Sequence, residues 1–323
     1  MRCHLRQAAD LQDEGRFLEA ADEYTRALAV DPSNAELYLG RGVVLRKVGR
    51  VAEAIADYSA AIESGSGRLR GKAYYNRGNA RAAAGLLPEA ISDYDASLAL
   101  VYDEPRILVG RALARHRIGD ASGAVVDYSQ ALVLAPGDAG AYVGRGKAQM
   151  SLHRYAEARR DHDLAIAADP GCVEAYVERA RVAMLQDDLE QARSDCDMAL
   201  VLDPNMARAY CYRARTEGLR QEWEAALADF DEAIRLRPGY ANAYIGRGDV
   251  HATNGRFREA VADYSRAIEL DPSDAYTWAR RAEVHERLGM HSEAARGRRE
   301  AARLGATPER KDGDRAAQAN RHG

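Results

Sequence analysis

Apolar residues in this chain recur at helical intervals of three and four rather than in strict alternation, and the whole pattern returns every 34 residues over most of its length. Residues 241–274 show one period. Ala243, Tyr244, Gly248 and Val250 lead to Gly255, and Phe257, Ala260, Val261, Tyr264, Ala267 and Ile268 follow. Each set falls on one face of a short helix, so the period predicts a helix pair. Gly255 stops the first helix, and Pro272, which lacks an amide hydrogen, stops the second. Proline returns at Pro32, Pro136, Pro170, Pro204, Pro238 and Pro272, the last five at the same spacing.

Numbering each period so that Pro32 is position 32 places Ala20, Ala54, Ala90, Ala124, Ala158, Ala192, Ala226, Ala260 and Ala294 at position 20. Nine repeats follow: 1–34, 35–70, 71–104, 105–138, 139–172, 173–206, 207–240, 241–274 and 275–308. The second carries two extra residues near Gly65-Ser66-Gly67 and lacks the proline, so the softest joint is expected there. Residues 309–323 are charged, fall outside the register and hold too little apolar surface to pack; a disordered tail is expected. The second helix of repeat nine is unusually polar, with Arg296, Arg298, Arg299, Glu300 and Arg303, as suits a helix that caps a stack. Position 8 is small (Gly42, Gly78, Ala112, Gly146), which lets paired helices approach closely, while large plugs occupy position 4 (Tyr38, Tyr74, Leu108, Tyr142) and position 24 (Tyr24, Tyr58, Tyr94, Tyr128).

An aromatic at 4, a small residue at 8, alanine at 20, an aromatic at 24 and proline at 32, kept in register over residues 1–308, resemble the tetratricopeptide repeat (TPR) family. The resemblance implies an all-α fold: an α-solenoid of nine helix-turn-helix repeats wound into a right-handed superhelix. The first helix of each pair would line a concave groove and the second would form the outer wall. Two positions depart from the family pattern. Position 7, usually apolar, is arginine in eight repeats (Arg41, Arg77, Arg111, Arg145, Arg179, Arg213, Arg247 and Arg281), and position 11 is mostly polar (Arg81, Arg115, Gln149, Glu217, His251, His285).

An arginine repeating with the structural period either binds ligand phosphates or serves the fold. Position 23 decides between them, because it is acidic in eight repeats: Glu23, Asp57, Asp93, Asp127, Asp161, Asp195, Asp229 and Asp263. A partly buried arginine needs a carboxylate, so the two positions are expected to pair within each repeat. Repeat one has Gln7 in place of the arginine, and repeat nine has Gly297 in place of the acid.

Charge, composition and candidate chemistry then narrow the function. The formal charge of −4, from 46 basic and 50 acidic residues, excludes a gross polybasic or polyacidic protein. Cys3, Cys172, Cys196 and Cys211 form no CxxC pair, and the polar start has no hydrophobic signal core, which points to reduced thiols in the cytoplasm. No apolar run approaches the roughly 20 residues of a membrane span. Gly40-Arg41-Gly42, Gly144-Arg145-Gly146 and Gly246-Arg247-Gly248 sit mid-helix without a third glycine, so they are not dinucleotide loops. Glu217, His251 and His285 share position 11 of consecutive repeats. Packed helices lie about 8–10 Å apart, too far for the three to converge on one metal ion. His116, His153 and His291 lack a nearby Ser or Cys at triad spacing, so neither an enzyme nor a cofactor is expected.

The resemblance also implies which positions face the groove: 2, 5, 6, 9, 12 and 13. Position 5 is an apolar stripe (Leu39, Tyr75, Val109, Val143), and glycine at position 6 (Gly40, Gly110, Gly144, Gly246) is expected to leave room beside it. Around the stripe stand Lys47, Lys72, Asn79, Arg106, Arg117, Lys147, Arg181 and Arg215. Positions 1–14 are net basic and positions 15–34 net acidic, even without the position 7 and 23 doublets, and the basic excess concentrates in repeats two to five. A basic, partly apolar groove suits an extended, acidic, partly apolar peptide of a protein partner, as a scaffold or adaptor would hold. The family's clamp for chaperone carboxyl termini is not matched, since Leu39, Val43 and Gly110 stand where it needs Lys, Asn and Arg. The alternative, a helical repeat that binds single-stranded RNA, needs stacking aromatics along the groove, where only Tyr75, Tyr212 and Tyr276 are placed.

Overall fold

Gly15, Gly49, Gly85, Gly119, His153, Asp187, Gln221, Gly255 and Gly289 all occupy position 15, and all nine have positive φ. One left-handed residue after each first helix turns the chain back so that the second helix packs against it. The computed structural model describes residues 2–101 and 103–305, and these form eighteen helices and no strand. The expected tail, residues 309–323, lies outside the described residues.

Two compact units divide the chain, one running to Leu152 and one starting at His153. The first unit contains α1 (Arg2–Asp13), α2 (Phe17–Val30), α3 (Ala35–Lys47), α4 (Val51–Ser64), α5 (Gly67–Ala83), α6 (Leu87–Leu100), α7 (Pro105–Arg117), α8 (Ala121–Leu134) and α9 (Ala139–Ser151). The second contains α10 (Tyr155–Ala168), α11 (Val173–Leu185), α12 (Leu189–Leu202), α13 (Ala207–Leu219), α14 (Trp223–Leu236), α15 (Ala241–Thr253), α16 (Phe257–Leu270), α17 (Ala275–Arg287) and α18 (His291–Arg303).

Within each unit a helix packs on the next in sequence, and successive first helices also touch: α3, α5, α7 and α9 in the first unit, α11, α13 and α15 in the second. The first helices therefore form a continuous layer in each unit. Between the layers lie the small residues that permit close approach. Ala20, Ala54, Ala90, Ala124, Ala158, Ala192, Ala226, Ala260 and Ala294 are all fully buried. Asn34, Asp120, Asp138, Asp188 and Asp274 cap helix N-termini by accepting backbone N–H groups, which repeats the same start signal along the chain.

The insertion in repeat two, where the softest joint is expected, lies at the start of α5. It is absorbed into the first turn of α5, which is 17 residues long, and Arg70 Nε donates to the carbonyls of Ile62 and Gly65 at 3.0 Å each, satisfying the end of α4. The position 6 glycines, expected to leave room beside the stripe, leave none. The position 24 ring of the preceding repeat fills that space, so a Cβ added at Gly144 would lie 2.4 Å from Tyr128 Cζ and one at Gly246 2.3 Å from Phe230 Cζ. Tyr94, which meets Gly110 of the next repeat, also meets the position 8 Gly78 of its own, and Tyr58 and Tyr264 meet Gly42 and Gly248 of their own repeats. Tyr94 is thus a wedge between two repeats.

Candidate functional site

The arginine ladder belongs to the fold. Six of the doublets lie wholly within one unit, and all six close as forked pairs. Nε and Nη2 of Arg41, Arg77, Arg111, Arg179, Arg213 and Arg247 donate to both oxygens of Asp57, Asp93, Asp127, Asp195, Asp229 and Asp263, at 2.6–3.0 Å. These carboxylates are buried, none more than 9% exposed. Position 11 explains itself in the same place, since Arg81 and Arg115 add a second donor to Asp93 and Asp127 at 2.8 and 2.9 Å. His251 lies 3.9 Å from Asp263, and Glu217 stands beside Asp229, so the position 11 residues of repeats seven and eight turn to their own repeats.

Sequence reasoning missed the ladder's other half. The third guanidinium nitrogen, Nη1, reaches back to position 25 of the preceding repeat in all eight cases: Thr25, Ser59, Asp95, Ser129, Asp163, Asp197, Asp231 and Ser265. Every member of that set is a hydroxyl or carboxylate, and this was the available signal. Except at Arg111, each guanidinium also lies over the position 4 ring of its own helix, at 5.4–5.8 Å for tyrosine and 4.7 Å for Trp278. Each of the six paired arginines so joins the two helices of its own repeat to the repeat before. Hydrogen bonds to the position 23 carboxylates hold Arg41, Arg179, Arg213 and Arg247 above the usual arginine range.

The first-helix face of the first unit is different. Lys47, Lys72, Arg106 and Arg117 are exposed, and Lys72 and Arg106 have no carboxylate partner among the described residues. Lys47 Nζ sits 4.7 Å from the centre of the Phe17 ring, and Arg117 donates to the Ala82 carbonyl at 3.1 Å. Leu39, Tyr75 and Val109 are half-buried between these cations. Leu113, at position 9 of α7 and overlooked in the sequence, is 52% exposed. On α7 alone, Arg106, Val109, Leu113 and Arg117 share one face at helical spacing. Position 2 turns acidic at the exposed Glu36 of α3, so the basic row at that position starts on α5.

Other expected groove residues do not join this surface. Val143 is 6% exposed, and Arg181 is 4% exposed and pairs at 3.2 Å with Glu178, itself fully buried. Arg208 also reaches Glu178 at 3.3 Å and pairs with Glu174, so the corresponding face of α11 and α13 is occupied by its own charges and by the buried ring of Tyr212. Asn79 accepts the Tyr94 hydroxyl at 2.8 Å. Lys147 and Arg215 are half-buried.

The tetratricopeptide repeat model matches residues 5–68, 69–139, 143–207, 213–275 and 252–320, so the chain belongs to this family. It is similar in structure to a tetratricopeptide repeat protein from Parabacteroides merdae, with a TM-score of 0.67 and 20% identity, covering 77% of this chain and 98% of that one. It is also similar to a chain of the APC/C hetero-tetramer Cut9–Hcn1, with a TM-score of 0.64 and 16% identity, over 87% of this chain and 55% of that one. Both likenesses concern the fold. A stretch of 69 residues is 36% identical to the DnaJ homolog subfamily C member 7 homolog of Schizosaccharomyces pombe, spanning 20% of this chain and 14% of that protein. No helix among the described residues is long and apolar enough to cross a membrane.

Proposed function

We propose that this protein is a non-enzymatic cytoplasmic scaffold or adaptor that holds an extended, acidic, partly apolar segment of a protein partner. Repeats of this family mediate protein–protein interaction, which supports the general reading. The observation that carries the particular one is the first-helix face of α3, α5 and α7. There, exposed Lys72, Arg106 and Arg117 flank the apolar side chains of Tyr75, Val109 and Leu113, whereas the ladder arginines of the same helices, Arg41, Arg77 and Arg111, are each paired with a buried carboxylate. The cations steer and orient an acidic segment, and the apolar floor supplies contact area. Among the tyrosines that an RNA-binding reading requires, Tyr212 is 4% exposed and has no face on which a base could stack. Selection from an unbiased peptide display library tests the proposal: enriched sequences are expected to be acidic with interspersed apolar residues. Enrichment without acidic bias would refute it.

A further inference from the structure

Repeat nine breaks the ladder on one side only. Arg281 keeps the backward bond, from Nη1 to Ser265 Oγ at 2.9 Å, and lies over the Trp278 ring at 4.7 Å. Position 23 is Gly297, so the edge that chelates a carboxylate in repeats two to four and six to eight faces none here. Among the described residues Nε is enclosed without a partner, and so is Nδ1 of His285 at position 11. The glycine cannot be repaired in place, because a Cβ there would lie 2.9 Å from the Ala282 Cβ. Arg296, exposed one residue before Gly297, deepens the deficit. Of the neighbouring acids, Glu283 pairs with Arg280, Glu286 with Arg298 and His291, and Glu300 with Arg303, while Glu293 accepts from the Ser292 hydroxyl and lies near His285 and Arg296 without closing an ion pair among the described residues. Burial and then Arg296 hold Arg281 below the usual arginine range, and no carboxylate offsets them.

We infer that Arg281 and Arg296 form a second recognition site, at the last repeat, for a carboxylate presented by a protein partner. The class of ligand follows from the chain's own repetition, since the same guanidinium takes a carboxylate in repeats two to four and six to eight. The incoming group meets Nη2 of Arg281 from the side of Arg296, because Nε is closed to solvent and Nη1 is held by Ser265. This site differs from the face on α3, α5 and α7 in recognising a single charged group rather than an apolar segment.

Trp278 reports on the site. The chain has two tryptophans, so full-length Trp223→Phe protein leaves Trp278 alone, stacked on the guanidinium in question. A tri-aspartate peptide blocked at both ends, titrated at low ionic strength, is expected to change its emission saturably. Arg281→Leu should abolish the response. Arg296→Leu should weaken it about tenfold, as expected for a lost charge-assisted bond. Arg258→Leu, an exposed arginine on α16, should leave it unchanged. Arg281→Lys, which keeps the charge but not the fork, guards against misfolding of the leucine variant and should also weaken binding. No saturable response, or one unaltered in the Arg281 variants, overturns the site. Tighter binding of inorganic phosphate than of the peptide overturns the carboxylate assignment.

Discussion

The ladder makes a quantitative claim that is cleanest at Arg41 and Asp57. Among the described residues only Arg41 donates to Asp57, through bonds of 2.8 and 2.7 Å, and position 11 of this repeat is the apolar Leu45. The Asp57 side chain is 7% exposed and that of Arg41 22%. Arg41→Met keeps the stem but strands a buried carboxylate. Breaking a buried pair from one side costs about 3–5 kcal/mol, and the partial exposure of Arg41 argues for the lower end. Asp57→Leu strands only the better-solvated guanidinium and should cost about 1–2 kcal/mol. The double variant restores an apolar contact, so a coupling energy of about 1.5–3 kcal/mol is expected. A repeat array need not unfold in one step, so native-state hydrogen exchange of α3 and α4 is the assay of choice, with urea unfolding as a check. Additive losses would refute the reasoning and leave these arginines without a structural role.

Gly144→Ala should destabilise by about 1–3 kcal/mol in urea unfolding, because its Cβ would have to displace the buried Tyr128 ring, although alanine gains about 1 kcal/mol of helix propensity. A stabilised variant would show that the ring yields freely. Gln221 adopts φ +65 where six other repeats have glycine, so Gln221→Gly should stabilise by about 0.5–1 kcal/mol, read as a higher denaturation midpoint. Glu217 is held above its ordinary pKa of 4.5 by burial and then by Asp229. The folded form binds this proton more tightly than the unfolded chain does, so its contribution is full below pH 4.5 and is lost as pH rises through the raised value. Glu217→Gln should flatten the stability profile above pH 4.5, and an unchanged profile would contradict the assignment.

The helix pairs were legible because every repeat restates the same spacing of apolar residues, and Arg41 with Asp57 was legible because both partners belong to one repeat. What the residues hid lies between repeats. Thr25 and Asp95 serve the arginine of the following repeat, and no spacing within one period links them to it. Gly144 reads as open space until the ring of Tyr128, one repeat earlier, is seen to fill it. Arg181 carries the same sequence signal as an exposed cation, but Glu178, one helical turn away, takes it inside. Arg70 anchors a junction that the missing proline marked as weak. At the candidate site, Lys72, Arg106 and Arg117 were found from position alone, whereas Leu113 was passed over among the polar residues at position 9 of neighbouring repeats.

The claim that the first-helix face of α5 and α7 binds an acidic segment rests most directly on Arg106 and Arg117, which lie outside the ladder. The deciding measurement is the affinity of a display-selected acidic peptide for wild-type protein and for the Arg106→Glu, Arg117→Glu double variant, with far-UV circular dichroism showing both folded. Binding at least about tenfold weaker in the variant, with a smaller salt dependence in the association rate, is the predicted result. Equal affinity in the folded variant would contradict the account and place the partner's contact elsewhere on the repeats.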